Sequence, residues 1–267
     1  MSQRLSFVQI DAFAERAFTG NPAAVMPLEA WLADDVLQAI AEENNLSETA
    51  FVVPDATGEA DWELRWFTPV AEVVLCGHAT LASGHYLLGQ DPAAERVRFR
   101  TRRAGLLEVA RAGDGYDLAL PAWGPERADR PDILAALGLA PDTAEIWWHE
   151  KGYALVVLDN ADAVRALAPD QRALAACGPL LAIPTAPGTD SDIVSRVFTP
   201  AYGIDEDPVT GSAHAVLTPY WAARLGRDSF TAYQASARGG RLTCRLAGDR
   251  VILGGRCVTV IEGSFLL

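Results

Sequence analysis

The sequence predicts a mixed α/β fold made of two similar halves, each a sheet wrapped around one central helix. Two observations predict it. A Phe-Thr-Pro motif occurs at residues 67–69 and again at residues 198–200, each time after an extended apolar run. Each motif is followed by a short acidic loop and then by a helix that opens with glycine, at Gly77 and at Gly211. A recurrence at such a long period indicates an internal duplication.

The spacing beyond the two motifs supports this duplication. Gly77 lies 28 residues before Gly105, and Gly211 lies 29 residues before Gly240. In both halves a strand starts at the later glycine, turns at a Gly-Asp pair eight residues on, and returns. Because the residue spacings of the two halves agree at several positions, the halves are interpreted as two copies of one unit.

Short strands dominate each half. The candidates are mostly β-branched or aromatic and bounded by Gly, Pro or Asp, and they span residues 5–11, 23–26, 49–53, 96–101, 155–158 and 258–262. Helices are predicted at residues 33–43, 77–88, 131–137 and 211–224. The second and fourth are apolar nearly all round, so we expect strands to enclose them. A Pro- and Gly-containing hinge at residues 121–125 separates a first unit, 1–120, from a second unit, 121–255.

The overall charge restricts the partners. The 267 residues are 50% hydrophobic and carry a net charge of -13, which argues against a nucleic-acid partner. No stretch reaches the roughly 18 apolar residues of a membrane span, and no secretory signal is visible. The four cysteines lack metal-ligand spacing. We therefore expect a cytoplasmic protein with reduced thiols and no membrane partner.

No cofactor is expected. Lys151 is the only lysine, and its loop setting does not suit the buried amine that a pyridoxal enzyme or Schiff-base aldolase needs. No glycine-rich dinucleotide loop follows the first strand, and no clustered metal ligands are visible. We predict no requirement for a metal, pyridoxal phosphate, flavin or nicotinamide.

The starts of the two apolar helices are candidate anion sites. A helix N-terminus exposes free N–H groups and a partial positive charge, and small residues at Gly77 and Gly211 let an anion approach the backbone. Such ends would attract a carboxylate into an otherwise acidic protein. The alternative is that both glycines only permit tight turns.

Acid–base candidates cluster at the same places. His78 lies in the first turn of one helix, where a neutral imidazole is favoured, and Asp207 precedes the other. Glu48 enters an apolar strand, where burial would raise its pKa toward that of a general base. The alternatives are an exposed strand-end Glu48 and a capping Asp207. Cys76 precedes the first helix, where the pKa of a thiol falls, and Thr210 stands at the corresponding position of the second half.

Four segments stand out as a set: Asn21-Pro22, Asn-Leu-Ser-Glu-Thr at 45–49, Cys-Gly-His-Ala-Thr at 76–80 and Glu-Asp-Pro-Val-Thr-Gly-Ser at 206–212. Together they resemble the PhzF-like family, which is named for phenazine biosynthesis. The resemblance covers essentially the whole chain. It implies the diaminopimelate epimerase fold, with two pseudo-symmetric β-barrel units around central helices and an active site in the cleft between them. It also implies that the last strand, about 256–267, packs back onto the first unit.

The resemblance also implies roles for individual residues. It places general acid–base chemistry on Glu48, assisted by His78 and Asp207, and substrate binding on Gly77, Gly211 and Ser212. The implied activity is a cofactor-independent isomerase or epimerase that moves a proton between carbons of a small carboxylated metabolite. We expect a homodimer.

Two other functions stay open. Hydroxyproline epimerase-like and proline racemase-like proteins resemble this fold but carry a cysteine in both halves, and Thr210 argues against that pair here. A non-catalytic small-molecule-binding protein is the other alternative, although binding alone would not need a buried carboxylate at Glu48.

Overall fold

The computed structural model describes residues 3–267 and has a mixed α/β fold with many short strands and few helices. The first elements are β1 (Arg4–Ala12), β2 (Asn21–Pro27), α1 (Asp34–Asn44), β3 (Glu48–Pro54), β4 (Trp62–Phe67), β5 (Glu72–Val73), α2 (Gly77–Gln90), β6 (Arg96–Thr101), β7 (Leu106–Ala112) and β8 (Gly115–Pro121). The next are β9 (Glu126–Ala128), α3 (Pro131–Ala136), β10 (Glu145–His149), β11 (Tyr153–Val157), α4 (Ala161–Ala166), α5 (Gln171–Ala176) and β12 (Leu181–Pro187). The last are β13 (Ile193–Ser195), β14 (Phe198–Thr199), a 3₁₀ turn (Pro200–Tyr202), β15 (Ile204–Glu206), α6 (Gly211–Leu225), β16 (Ser229–Gln234), β17 (Gly240–Ala247), β18 (Arg250–Gly255) and β19 (Cys257–Leu266).

The described residues divide into two compact units. One unit contains the described residues up to Leu120 together with Gly254–Leu267, and the other contains Pro121–Leu253. Residues 1 and 2, which belong to the predicted first unit, lie outside the described residues. The mixed α/β fold class is confirmed, whereas closure of each sheet into a barrel stays a prediction.

In the first unit the strand pairs alternate between antiparallel and parallel from the β1–β2 pair onward. The final strand β19 pairs antiparallel with β1, and β1 pairs antiparallel with β2. The sheet continues through a parallel β2–β3 pair, an antiparallel β3–β4 pair, a parallel β4–β6 pair and an antiparallel β6–β7 pair. Parallel neighbours need a crossover connection, and α1 and α2 supply the two that this unit requires.

The second unit shows the same succession of pairings. An antiparallel β10–β11 pair is followed by parallel β11–β12, antiparallel β12–β13, parallel β13–β16 and antiparallel β16–β17 pairs. Helix α6 lies in the crossover from β13 to β16, as α2 lies in the crossover from β4 to β6. The duplicated sequence motifs thus occupy equivalent places in the strand order of each unit.

The two glycine-opened helices are buried, as their apolar sequences predicted. Most side chains of α2 are buried, and the helix contacts β1, β2, β3, β6, β7 and β19 of its own unit. Helix α6 is buried to a similar extent and contacts β11 and β17. The predicted positions of both helices are confirmed. None of the helices within residues 3–267 has the length and apolar character that a membrane crossing requires.

The close packing of α2 makes one of its glycines intolerant of a side chain. A Cβ on Gly84 would lie 2.4 Å from a methyl carbon of Val109, whereas a Cβ on Gly89 of the same helix would meet nothing within 4 Å. We expect Gly84→Ala to reduce the free energy of unfolding by about 1–3 kcal/mol through overpacking. Gly89→Ala, the matched control, should raise it by up to about 1 kcal/mol because alanine favours a helix. Urea unfolding of both variants checks this, and shifts in the same direction would contradict it.

Each unit contains an arginine whose guanidinium forms two hydrogen bonds with one glutamate. Arg65 donates to both carboxylate oxygens of Glu72 at 2.8 and 2.9 Å, and Arg196 donates to both oxygens of Glu206 at 2.8 Å. Each guanidinium also lies over the phenylalanine ring of its own Phe-Thr-Pro motif, 4.9 and 4.6 Å from the centroid. The repeated sequence therefore carries a repeated set of contacts, which stabilises the loop that leads to each glycine-opened helix.

Candidate active site

Three elements of the first unit meet at one edge of its sheet. Glu48 opens β3 and is paired in parallel register with Ala23 of β2, so the N-terminal ends of the two strands lie side by side. Asn21 opens β2. His78 is the second residue of α2 and is buried between them. The fold thus brings Asn21, Glu48 and His78 together although they are far apart in the sequence.

His78 is the centre of this cluster. Its Nε2 atom lies 3.0 Å from Oε2 of Glu48. On the other side of the ring, Nδ1 lies 3.1 Å from Nδ2 of Asn21 and 3.5 Å from Sγ of Cys76. The imidazole therefore has a carboxylate at one nitrogen and an amide and a thiol at the other.

The carboxylate of Glu48 is close to His78 but is not held by a well-aligned hydrogen bond. Its side chain is 15% exposed, so it is neither fully buried nor free in solvent. Oε2 is buried and makes no hydrogen bond of acceptable geometry, although Nε2 of His78 is 3.0 Å away. The distance is that of an ion pair, and the oxygen lies off the line of the ring N–H. Such an oxygen keeps a lone pair available for a proton.

Burial controls the protonation of Cys76. Burial, assisted by the nearby negative charge of Glu48, raises the pKa of the Cys76 thiol to about 11. The thiol therefore keeps its proton at neutral pH. The expectation that the helix start would lower the pKa of this thiol is wrong, because desolvation outweighs the helix dipole.

The charge state of His78 also differs from the one expected. Burial lowers the pKa of His78, but the nearby thiol of Cys76 and carboxylate of Glu48 outweigh burial, so its pKa lies well above the ordinary value. Because Cys76 is protonated at neutral pH, Glu48 is the charge that favours the imidazolium there. The raised pKa is opposite in direction to the one expected at a helix start, since the ring is paired with a carboxylate that the sequence places on another element.

The second unit holds the other predicted site residues. Asp207 is 9% exposed and its Oδ2 accepts a hydrogen bond from the hydroxyl of Thr210. Gln234, at the end of β16, accepts from the backbone N–H of Thr210 at 2.9 Å and donates to the carbonyl of Asp207 at 2.8 Å. These hydrogen bonds connect the loop between Asp207 and α6 to the end of β16.

Gly211 and Ser212 form the start of α6. Gly211 is buried, Ser212 is half-buried, and the Ser212 hydroxyl lies beside the phenol of Tyr153. Thr210, the N-cap residue, makes no side-chain capping bond, and neither does Cys76 at the start of α2. The first N–H groups of both helices are thus left without a cap from the residue that usually supplies one.

His214 in the first turns of α6 is a buried neutral histidine. Its Nδ1–H donates to the carbonyl of Thr210 at 2.8 Å, and burial lowers its pKa to about 4. An unfolded histidine titrates near pH 6.5, so the unfolded state binds a proton more readily than the folded state between these values. Stability is therefore fully present above about pH 6.5 and is lost as the pH falls toward about 4.

We expect this histidine to contribute a pH-dependent loss of about 3 kcal/mol between pH 6.5 and pH 4. His214→Asn should lack this component, because asparagine can keep the hydrogen bond to Thr210 and does not titrate. Chemical unfolding of both proteins across this pH range measures the difference. Parallel stability curves for the wild type and His214→Asn would show that His214 is not the titrating group.

A candidate metal-ligand cluster is present after all. Among residues 3–267, Glu48, Cys76 and His78 bring one carboxylate oxygen, one sulfur and one ring nitrogen within 4.8 Å of one another. The expectation that no metal ligands cluster is wrong, because the sequence separates Glu48 from the other two and only the fold joins them. The expectation that no metal is required is a different statement and stays a prediction.

Two polar side chains of these clusters were missed as site residues. Asn21 is fully buried at the start of β2, and Gln234 is fully buried at the end of β16. An amide at the end of a buried strand is the signal that could have found each of them. Asn21 orients His78, and Gln234 orients the Asp207–Thr210 loop.

Comparisons with known proteins agree along the whole chain. A family model described as phenazine biosynthesis-like protein matches residues 10–263. A protein of Pseudomonas aeruginosa that is named an uncharacterized isomerase is 50% identical over 266 residues, covering 99% of each chain. The crystal structure of a phenazine biosynthesis protein of the PhzF family from Enterococcus faecalis is 44% identical, with a TM-score of 0.90 over 100% of each chain.

A more distant structure shares the fold alone. It is a hydroxyproline epimerase from Agrobacterium vitis with bound trans-4-hydroxy-L-proline. Its identity to this chain is 13% and its TM-score is 0.62, over 99% of this chain and 93% of that one.

Proposed function

The chain belongs to the phenazine biosynthesis-like family, as its sequence motifs predicted, and we propose that it is a cofactor-independent isomerase that moves a proton between two carbons of a small carboxylated metabolite. Glu48 is the base that takes the proton from carbon. The observation that carries this proposal is the contact of 3.0 Å between the Glu48 carboxylate and the buried ring of His78.

The environment of Glu48 suits a base that must also return its proton. A carboxylate oxygen without an aligned hydrogen bond accepts a proton from carbon without first breaking a bond to the protein. His78, as an imidazolium, supplies a positive charge beside the enolate or enol as it forms, and a preorganised charge in a poorly hydrated site stabilises such a state better than water does. In this proposal Glu48 transfers the proton and His78 stabilises the negative charge that forms.

The separation of Glu48 and Cys76 does not suit a two-base racemase that uses this pair. Two bases on opposite faces of a carbon, each about 3–3.5 Å from it, would lie about 6–7 Å apart. The donor atoms of Glu48 and Cys76 lie within 4.8 Å of each other. This pair therefore addresses one face of a bound carbon, which supports removal and return of the proton on the same face.

The carboxylate of the substrate binds, in this proposal, at helix starts. The first turns of α2 and α6 offer backbone N–H groups at Gly77, Gly211 and Ser212, and their N-cap residues do not occupy those groups with side-chain caps. Asp207 assists by relaying a proton or binding a polar group of the substrate. The roles of Asp207, Gly211 and Ser212 rest on the repeated sequence motif.

Further features of the proposal concern the architecture. We propose that each unit closes as a β-barrel around its central helix, with residues 1–120 and the last strand in one and residues 121–255 in the other. The matching succession of strand pairings supports this. We also propose a homodimer whose partner molecules are small carboxylated compounds and not nucleic acids or membranes.

A screen for turnover tests the proposed function. Purified protein, freed of metals by a chelator, is incubated in deuterated buffer with a panel of unsaturated, amino and imino carboxylic acids, and each is followed by proton nuclear magnetic resonance. We expect at least one acid to be converted to an isomer without added cofactor. Strict dependence on a cofactor, or a bound acid that never exchanges a carbon-bound proton, would contradict the proposal and favour a binding protein.

A further inference from the structure

We propose that Glu48, Cys76 and His78 form a binding site for a thiophilic divalent cation of the zinc class, and that the bound cation inhibits proton transfer by Glu48. The inhibitory part rests on the proposed function. The binding part rests only on the three side chains and can be tested without any substrate.

The donor set is one that zinc takes in proteins. Cysteine sulfur, histidine nitrogen and carboxylate oxygen are its ordinary ligands, and three protein ligands with one open position are typical of sites that also bind a small molecule. Here the three donor atoms lie within 4.8 Å of one another. A thiolate and a carboxylate would together balance the charge of a divalent cation, which matters because the site is mostly buried.

The distances fit zinc once the Cys76 side chain rotates. A tetrahedral zinc ion places its nitrogen and oxygen ligands about 3.3 Å apart and its nitrogen and sulfur ligands about 3.6 Å apart, given bonds of about 2.0–2.3 Å. Nε2 of His78 lies 3.0 Å from Oε2 of Glu48 and 4.0 Å from Sγ of Cys76. Because Sγ of Cys76 also lies 3.5 Å from Nδ1, the thiol must rotate toward Nε2 before all three donor atoms can share one cation.

The direction of the Glu48 contact also fits a cation. A hydrogen bond needs the oxygen in line with the ring N–H, and Oε2 of Glu48 lacks such an alignment despite its distance of 3.0 Å. Two ligands of one cation, in contrast, stand at an angle to each other. On the far side of the ring, Asn21 contacts Nδ1 at 3.1 Å and orients the imidazole so that Nε2 faces Glu48.

The binding step needs no oxidant or reductant. The cation replaces the proton of the Cys76 thiol and the proton on Nε2 of His78, both protons pass to solvent, and bonds from the metal to sulfur, nitrogen and oxygen form. The Glu48 lone pair that would accept a proton from carbon is then bound to the metal. A substrate could no longer be deprotonated, which is why occupancy inhibits.

Cobalt(II) and zinc test the binding part with the full chain. Cobalt(II) bound by a thiolate gives an intense near-ultraviolet charge-transfer band, and we expect this band in the wild-type protein and its loss when zinc is added. Cys76→Ser should abolish the band and weaken zinc binding, measured by calorimetry, by at least about 100-fold, since even second-shell changes cost about 10- to 100-fold. The matched control is Cys177→Ser, because Cys177 is a half-buried thiol of another part of the chain.

Each outcome decides the proposal. The cobalt band in the wild type and in Cys177→Ser, with its loss in Cys76→Ser, supports it. Absence of the band in the wild type, or equal zinc affinity of the wild type and Cys76→Ser, overturns it. If thermal unfolding shows that Cys76→Ser does not fold, Glu48→Gln serves instead and should weaken zinc binding by about 10-fold or more. Full turnover at saturating zinc would overturn the inhibitory part, whereas a protein that binds zinc but turns over no acid would contradict only the proposed function.

Discussion

Replacement of Glu48 by glutamine should lower the rate of isomerisation by about 10²- to 10⁴-fold, the range in which loss of a general base falls. Glutamine has nearly the same shape, so the side chain can keep its place at the start of β3, 15% exposed and beside His78. It cannot accept a proton from carbon. We therefore expect the loss in kcat, with little change in the affinity for the substrate.

The control for this variant is Glu59→Gln, which makes the same chemical change on an exposed glutamate of the same unit. Its rate should equal that of the wild type. Thermal unfolding of both variants, together with ligand titration, separates lost chemistry from lost structure. A Glu48→Gln enzyme with wild-type turnover would remove Glu48 from the mechanism.

The second large effect is expected from Arg65→Met. The guanidinium of Arg65 is 2% exposed, donates twice to Glu72 and once to Asp34, and lies over two aromatic rings. Methionine fills part of the volume but leaves the half-buried carboxylate of Glu72 without its bidentate partner. Breaking a buried ion pair by removing one member costs about 3–5 kcal/mol, and we expect the free energy of unfolding to fall by about that amount.

Arg102→Met is the matched control, because Arg102 approaches the same two acids from solvent. Its side chain is 51% exposed, and it lies 3.4 Å from Glu72 and 3.6 Å from Asp34. Exposed pairs contribute about 0–1 kcal/mol, so this variant should unfold close to the wild type. Urea unfolding of both variants measures the difference. Equal losses would mean that burial is not what makes the Arg65 pair strong.

The sequence predicted the repeated parts of the fold well, for physical reasons. Helices α2 and α6 are apolar on all sides, which is the pattern of an enclosed helix, and both were found where their opening glycines predicted. The short helices α4 and α5 were not predicted. Each has only six residues and is fixed by a local Asn160 or Asp170 cap more than by periodicity.

The residues of the candidate site were proposed from the sequence, but their protonation could not be. Glu48, His78 and Asp207 were selected from motifs, and the fold joins Glu48 to His78. Their protonation could not be predicted, since the pKa of His78 depends on a carboxylate from another strand and that of Cys76 on complete burial. Local reasoning from the helix start gave the wrong direction for both, because it contains neither the partner nor the desolvation.

Solvent-deuterium exchange at carbon tests the central claim most directly. A carboxylated substrate found in the turnover screen is incubated in deuterated buffer with wild-type protein or with Glu48→Gln, and the carbon-bound proton is followed by nuclear magnetic resonance. Glu48 as the base predicts exchange in the wild type and a rate lower by about 10²- to 10⁴-fold in Glu48→Gln, with the ligand still bound. Exchange at the wild-type rate in Glu48→Gln would contradict the assignment and make Asp207 the next candidate for the base.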